Sequence, residues 1–394
     1  MPAAPTAKRV FLDHNATTPI RPEVLEAMLP YLQSKFGNPN SSYSIGQETR
    51  KAVEQARSQV AKLLNASNEE IIFTSCGSES DVLAIAGAAW TARQGSDQKR
   101  QIITSAIEHD AIIIAADELK GQGFEPVFVG VDSKGRVDPA AVRKLLGPST
   151  AVVSIMHANN EVGTTQPIAE IASVCREKGI PFHTDAVQSV GKVPVDVKAL
   201  GVDLLSLSGH KVNAPKGVGA LFVRKGMKLV PMITGHQEKN RRGGTENVAS
   251  IVALGRACEL AAKELKEESA KLLALRRKIE GGCLKIGGVR VNGHPEQRLP
   301  GTCHLSFEEL DGSDLVIALD LEGICVSSGA ACSAGITDSH SHVLEAMGVP
   351  AELLPGSLRV SVGWGSTDAD VERFLSVLPK AVEKLRSARR AYSA

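Results

Sequence analysis

The chain has 394 residues, a formal net charge of +1, 43% hydrophobic and 23% charged residues, the composition of an ordinary globular protein of about two or three domains at roughly 150 residues each. That charge balance argues against a broad nucleic-acid or anionic-membrane surface, and no apolar run approaches the roughly 18 residues of a membrane span. The seven cysteines are irregularly spaced without a Cys-x-x-Cys pair, which argues against a disulfide framework or a zinc site and for a reducing cytoplasm.

In chain order, Met1 to Lys8 is Ala/Pro-rich without an apolar core and reads as a frayed tail rather than a signal peptide. Val53, Ala56, Val60 and Leu63 recur at helical spacing, which predicts an amphipathic helix over Gln47–Leu64. Strand and helix patterns then alternate. Ile71–Phe73, Ile102–Thr104, Val127–Val129, Val152–Met156, Ile180–Thr184, Val202–Leu207 and Val218–Val223 read as strands; Ser78–Trp90 and Ile168–Lys178 read as helices. This alternation implies a mostly parallel sheet covered on both faces. An Ala-, Leu-, Glu- and Lys-rich helix from about Val248 to Ile279, stopping at Gly281-Gly282, leads into a smaller second domain. That domain holds His304–Phe307, Leu315–Leu321, Leu358–Val362 and a final helix over Ala369–Arg386.

Chemistry-bearing residues cluster just past the strand ends. Lys211 follows one strand within Leu207-Ser208-Gly209-His210-Lys211, and Asp185-Ala186-Val187-Gln188 follows another. A lysine and an acid so placed suit pyridoxal 5'-phosphate (PLP), which needs a covalent anchor and a carboxylate against its pyridine nitrogen. Open α/β sheets bind ligands at these ends. Thr74-Ser75-Cys76-Gly77-Ser78 joins a strand to a helix whose free N–H groups suit a phosphate; a plain Ser N-cap would use the same residues. His109 follows Ile102–Thr104 and could stack on an aromatic ring and shuttle protons. In His157-Ala158-Asn159-Asn160 the two amides could hold a carboxylate or form an Asx turn. Arg241-Arg242-Gly243-Gly244-Thr245 is a loop in which Gly-Gly permits close approach of an anion. Cys332 sits among Gly, Ala and Ser without bulky apolar neighbours, the setting of an exposed thiol that is either a candidate nucleophile or a chance loop cysteine. Arg359, embedded in a strand pattern, calls for a carboxylate from protein or substrate.

Together and in this order, these segments resemble the cysteine desulfurases of the class V aminotransferase family, over roughly residues 9–388. Asp13-His14-Asn15-Ala16-Thr17-Thr18-Pro19 and Phe36-Gly37-Asn38-Pro39 are similar to the family's opening motifs, and residues 206–220 match its PLP-lysine signature nearly throughout. The phosphate turn reads Cys-Gly-Ser where many members have Gly-Ala-Thr, and the segment after Cys332 departs from the commoner Thr/Ser-rich version. The resemblance implies an α/β chain of PLP-dependent fold type I, with a mostly parallel seven-stranded sheet in the large domain and a smaller α+β domain. It divides the chain into an N-terminal segment (1–14) joining the small domain, a large PLP-binding domain (15–260), and a small C-terminal domain (261–394) carrying Cys332.

Carried over by motif, the resemblance makes Lys211 the PLP-anchoring lysine. Asp185 meets the pyridine nitrogen, Gln188 the ring hydroxyl, and His109 stacks on the ring. Gly77, Ser78, Ser208 and His210 hold the phosphate, with Thr245 contributed by the other subunit of a homodimer. Asn160 and Arg359 bind the carboxylate of L-cysteine, with Asn15 nearby. Cys332 takes the sulfur as a persulfide and passes it to an acceptor protein, an iron–sulfur scaffold or a sulfur relay. A selenocysteine lyase would share the fold and cofactor without relying on Cys332.

Overall fold

Short, buried, apolar runs build the main sheet, as strands covered on both faces require. The computed structural model describes residues 9–329 and 341–393. Along the chain these form strands β1 (Val10–Phe11), β2 (Ile71–Thr74), β3 (Gln101–Ser105), β4 (Glu125–Val129), β5 (Thr150–Ser154), β6 (Phe182–Asp185), β7 (Leu204–Ser208), β8 (Gly219–Val223), β9 (Val289–Asn292), β10 (Thr302–Phe307), β11 (Ile324–Cys325) and β12 (Ser357–Ser361).

The large sheet has the order β2-β8-β7-β6-β5-β3-β4. Neighbours from β7 to β4 pair in parallel, whereas β8 is antiparallel to both β7 and β2. It follows that β2 points the same way as the five parallel strands, and six of the seven carboxyl ends open on one edge. Side chains alternate across the pleat. Ile71 and Phe73 join the core with the helices Ser44–Leu64 and Ile168–Glu177. Ile72, between them, joins Leu83, Ile85 and Ile112 on the opposite face, under the helices Gly77–Gly95 and Asp110–Lys120.

A second unit pairs β9, β10 and β12 in an antiparallel sheet and β1 with β11 in parallel. The helix Val248–Cys283 serves both cores: Ile251, Leu254 and Cys258 pack on the large sheet, Leu272, Leu275 and Ile279 on the small one. The expected stop at Gly281-Gly282 is corrected: the helix continues to Cys283. A Cβ on Gly282 would lie 2.5 Å from a Leu375 methyl, so this glycine admits the C-terminal helix Asp368–Ser393 rather than ending its own.

Two further ties position the active edge. After β1, Asp13 bridges Ser361 of β12, and Thr18 N–H donates to the His210 carbonyl at 2.9 Å, so residues 13–18 strap the small unit to the Lys211 turn. Arg57 grips Glu238 through two hydrogen bonds of 2.7 and 2.9 Å, and Glu238 also accepts from Phe73 N–H at 2.9 Å. This buried pair pins to β2 the loop that leads on to Thr245. Among the described residues no helix is long and apolar enough to cross a membrane.

Candidate active site

Gly77, His109, Asn160, Asp185 and Lys211 lie at or just after strand ends on the shared edge, whereas Asn15 and Arg359 come from the strap and from β12 of the smaller sheet. After β2 the chain turns through Cys76, whose sulfur caps the next helix by accepting from Glu79 N–H at 3.4 Å. With Cys76 as cap, the Ser78 hydroxyl is left exposed on the first turn instead of capping it. A Cβ on Gly77 would stand 2.8 Å from Val187 Cγ2 and 3.2 Å from Ser208 Cβ. The helix N-terminus thus comes within contact of the residues following β6 and β7 only because residue 77 has no side chain, and its free N–H groups form an anion cradle beside the Ser208 hydroxyl.

Lys211 ends the short turn after β7, and its Nζ donates to the Asn15 carbonyl at 2.5 Å and the Ala16 carbonyl at 2.8 Å. Asp185 terminates β6, buried, accepting from Val187 N–H at 2.8 Å. Burial pushes its carboxyl pKa up; the Val187 hydrogen bond and the positive field of His109 and Lys211 oppose the rise. A cation placed against it would relieve this desolvation. Gln188 is buried one turn on, with Nε2 donating to the Asn15 carbonyl at 2.9 Å. His210 turns towards the strap, its Nδ1 3.1 Å from Thr17 Oγ1, and burial, then the charges of Lys211, Lys216 and Lys192, lower its pKa to about 4.

His109 caps the helix Asp110–Lys120: its Nδ1 accepts from Ala111 N–H at 3.1 Å, which leaves the ring proton on Nε2. It lines a cleft together with Ser78. Glu108 turns the other way, into the interior, where it accepts from Met156 N–H at 2.9 Å and burial raises its pKa to about 8.

The two amides after β5 divide. Asn159 Oδ1 accepts from Glu161 and Val162 N–H, each at 2.9 Å, and so forms the Asx turn. Asn160 stays at the site, its carbonyl accepting from Asn15 Nδ2 at 3.1 Å and Arg359 Nη1 at 3.2 Å. Arg359, on β12, also reaches Asp13 Oδ1 through Nη2 at 2.8 Å. Its buried Nε has no hydrogen-bond partner among the described residues.

Lys211, Asp185, Gln188, Asn15, Asn160, Arg359, Gly77 and Ser208 therefore converge. Thr245 lies exposed on the loop before the Val248–Cys283 helix. Cys332 lies outside the described residues. Two site residues escaped the sequence reading. Asp13 stands in the opening motif, but only the tertiary fold shows that it is the partner of Arg359. Lys192 donates to Gln188 Oε1 at 2.9 Å and lies 3.4 Å from Asn15 Oδ1. A lysine four residues after Gln188, in the small-residue turn Ser189-Val190-Gly191, was its available signal. Among the described residues no group of three or more His, Cys, Asp or Glu could hold a metal ion.

The residues fit PLP. The Gly77 cradle suits its phosphate, the desolvated Asp185 its protonated pyridine nitrogen, and Lys211 its aldehyde. A mainly parallel seven-stranded sheet with this constellation at its carboxyl edge defines a PLP-dependent enzyme of fold type I. The family model described as aminotransferase class-V matches residues 10–374, and the chain belongs to that family. A cysteine desulfurase IscS of Methanosarcina thermophila is 49% identical over 381 residues, which cover 96% of this chain and 93% of that protein. A solved "NifS-like protein" superposes with a TM-score of 0.89 at 39% identity, covering 96% of this chain and 100% of the other. The structure "SspA in complex with cysteine" superposes with a TM-score of 0.79 at 34% identity, covering 89% of this chain and 98% of its own.

Proposed function

We infer that the chain is a PLP-dependent cysteine desulfurase, releasing L-alanine from L-cysteine and transferring the sulfur through Cys332. The observation that carries this reading is the meeting of Lys211, Asp185 and Arg359 at one edge, with a buried guanidinium donor left open. It is supported by relatives that bear the cysteine desulfurase name and by a solved relative that binds cysteine.

Arg359 Nε and the Asn160 amide receive the substrate carboxylate, and the Asp13 ion pair holds the guanidinium plane in place. PLP, when bound, withdraws electrons from the substrate Cα. Lys211 Nζ takes and returns the Cα proton. Asp185 would face the pyridine nitrogen, whose positive charge would relieve the carboxyl's desolvation and favour its ionised form. His109, with its proton on Nε2, would lie against the cofactor ring and assist proton movement at the substrate sulfur. Gly77, Ser78, Ser208 and His210 would hold the phosphate, completed by Thr245 of a second copy if the chain forms a homodimer. The Cys332 thiolate attacks the substrate sulfur: a sulfur–sulfur bond forms, the substrate carbon–sulfur bond breaks, and protonation of that carbon gives alanine. A cytoplasmic acceptor protein, an iron–sulfur scaffold or a sulfur relay, then takes the outer sulfur.

Intact-mass measurement after brief incubation with cysteine, with alanine assayed in parallel, tests this. One added sulfur on the Cys332 peptide together with alanine is expected. Alanine without the added sulfur would replace sulfur transfer by a lyase reading, with selenocysteine as the next substrate; neither product would overturn the assignment.

A further inference from the structure

Lys192 is a lysine among cations. Its Nζ donates to Gln188 Oε1 at 2.9 Å and lies 3.4 Å from Asn15 Oδ1, and it forms no salt bridge among the described residues. It faces Lys211, on the turn after β7, and Arg359, on β12. His14 and His210 lie within its field on the strap and the Lys211 turn, and burial is the larger influence on both. With Lys211, His14, Glu264 and Glu268 it lines a cavity, and Asp185 acts on Lys211 from the end of β6. Burial first, then the charges of Lys211 and Arg359, lower its pKa to about 7.

An ammonium has three donors and no acceptor, so it fixes the sense of any amide it touches. Lys192 takes the oxygen of Gln188, which turns Nε2 to the Asn15 carbonyl at 2.9 Å and leaves that nitrogen's second hydrogen for a ligand. It likewise takes the oxygen of Asn15, which turns Asn15 Nδ2 to Thr302 Oγ1 at 2.9 Å and to the Asn160 carbonyl at 3.1 Å. One side chain thus settles two amides, and both amides touch the groups around Lys211.

We propose that Lys192 is a positioning residue of the PLP site: it orients Gln188 to donate to the ring oxygen and Asn15 to frame Lys211, and its positive charge lowers the proton affinity of the nitrogen at Lys211. This rests on the reading of the site as PLP-binding. A neighbouring charge at a partly screened site shifts a titration by roughly half to one pH unit, and Lys192 carries that charge below about pH 7.

The experiment is a pH titration of the bound cofactor's visible absorbance, with the rate of PLP capture by the apoprotein measured at pH 7, in wild type, Lys192→Met, Lys192→Gln and Lys192→Arg. Loss of the charge in Met and Gln should raise the absorbance midpoint by about half to one unit and slow capture at pH 7 by roughly three- to tenfold. Arg should restore both. Thermal melts identify any variant that is misfolded, and the remaining neutral variant then decides. An unchanged midpoint and capture rate in a folded neutral variant overturns the proposal. If the wild-type protein develops no visible absorbance with PLP, the PLP reading fails instead.

Discussion

Two buried arginines show how this chain separates holding from binding. Arg57 lies beside β2 with every nitrogen engaged: Nε on Glu54 at 3.2 Å, Nη1 on the Ile71 carbonyl and Glu238 at 2.9 and 2.7 Å, Nη2 on Glu238 at 2.9 Å. Arg359, on β12, has Asp13 and the Asn160 carbonyl but keeps a buried Nε without a partner among the described residues. Arg57 is held by two carboxylates, Glu54 and Glu238, and Arg359 by one, Asp13. A buried polar group left unsatisfied costs roughly 1–3 kcal/mol; Arg21, Arg276 and Arg298 also keep such an Nε, and what sets Arg359 apart is its place beside Asn15 and Asn160, where a substrate carboxylate would take the donor. Arg57, with each nitrogen on a protein acceptor, serves the fold.

Substituting each arginine should break the comparison cleanly. Arg359→Leu is expected to lower kcat/KM for cysteine by about 100-fold or more, since truncating one member of a buried charge contact costs roughly 2–5 kcal/mol; PLP absorbance should persist. Equal loss of cofactor and activity would show that Arg359 holds the site's shape instead. Arg57→Met should leave the activity of folded protein within a few-fold while destabilising it by about 3–5 kcal/mol, because Glu238 is left buried and uncompensated, as a denaturant melt would register. Asp13→Asn should fall between the two: Arg359 loses its charged partner but keeps a hydrogen-bond acceptor, and KM should rise about tenfold with little change in melting.

A gentler effect concerns Glu108. Its folded pKa of about 8 exceeds the ordinary unfolded value of about 4.3. The folded state therefore binds more protons than the unfolded state between those limits, and stability falls as pH rises through that window. Glu108→Gln should flatten this fall, so its melting temperature, compared with wild type, should gain steadily from pH 5 to pH 8. A constant difference across that range would contradict the assignment. The smallest expected effects come from the adjacent glycines. Gly281→Ala meets nothing within 4 Å and should stabilise the helix by about 0.5–1 kcal/mol. Gly282→Ala drives a methyl to 2.5 Å from Leu375 and should destabilise by about 1–3 kcal/mol.

Much of this was legible from the chain. Short apolar runs such as Leu204–Leu207 and Val152–Val153 can be stable only as covered strands, which established the α/β class and a mostly parallel sheet. Lys211, Asp185, Gln188 and Gly77 each follow such a run by a few residues. Strand direction alone then carries them to one edge, and that is why motifs scattered over some 130 positions could be read as one site. Local chemistry also separated the types of residue at each turn: an acid, a lysine, a glycine where backbone must approach.

Tertiary structure decided the partners. Asp13 lies 346 positions from Arg359, and no local period links them; the pairing exists because β1 adds to β11 and the strap then crosses β12. The choice between Asn159 and Asn160, identical in type and adjacent, was made by which amide could reach the Glu161 and Val162 N–H groups. Gly282 looked like a helix stop because glycine weakens helices; the helix ends one residue past it, and only the fold shows that its missing side chain makes room for Leu375. Lys192 offered only its spacing from Gln188 as a signal; that it is buried beside two amides and two other cations is visible only in the fold. A sequence specifies which groups a turn carries, but burial and distance determine which of them meet, and in what charge state.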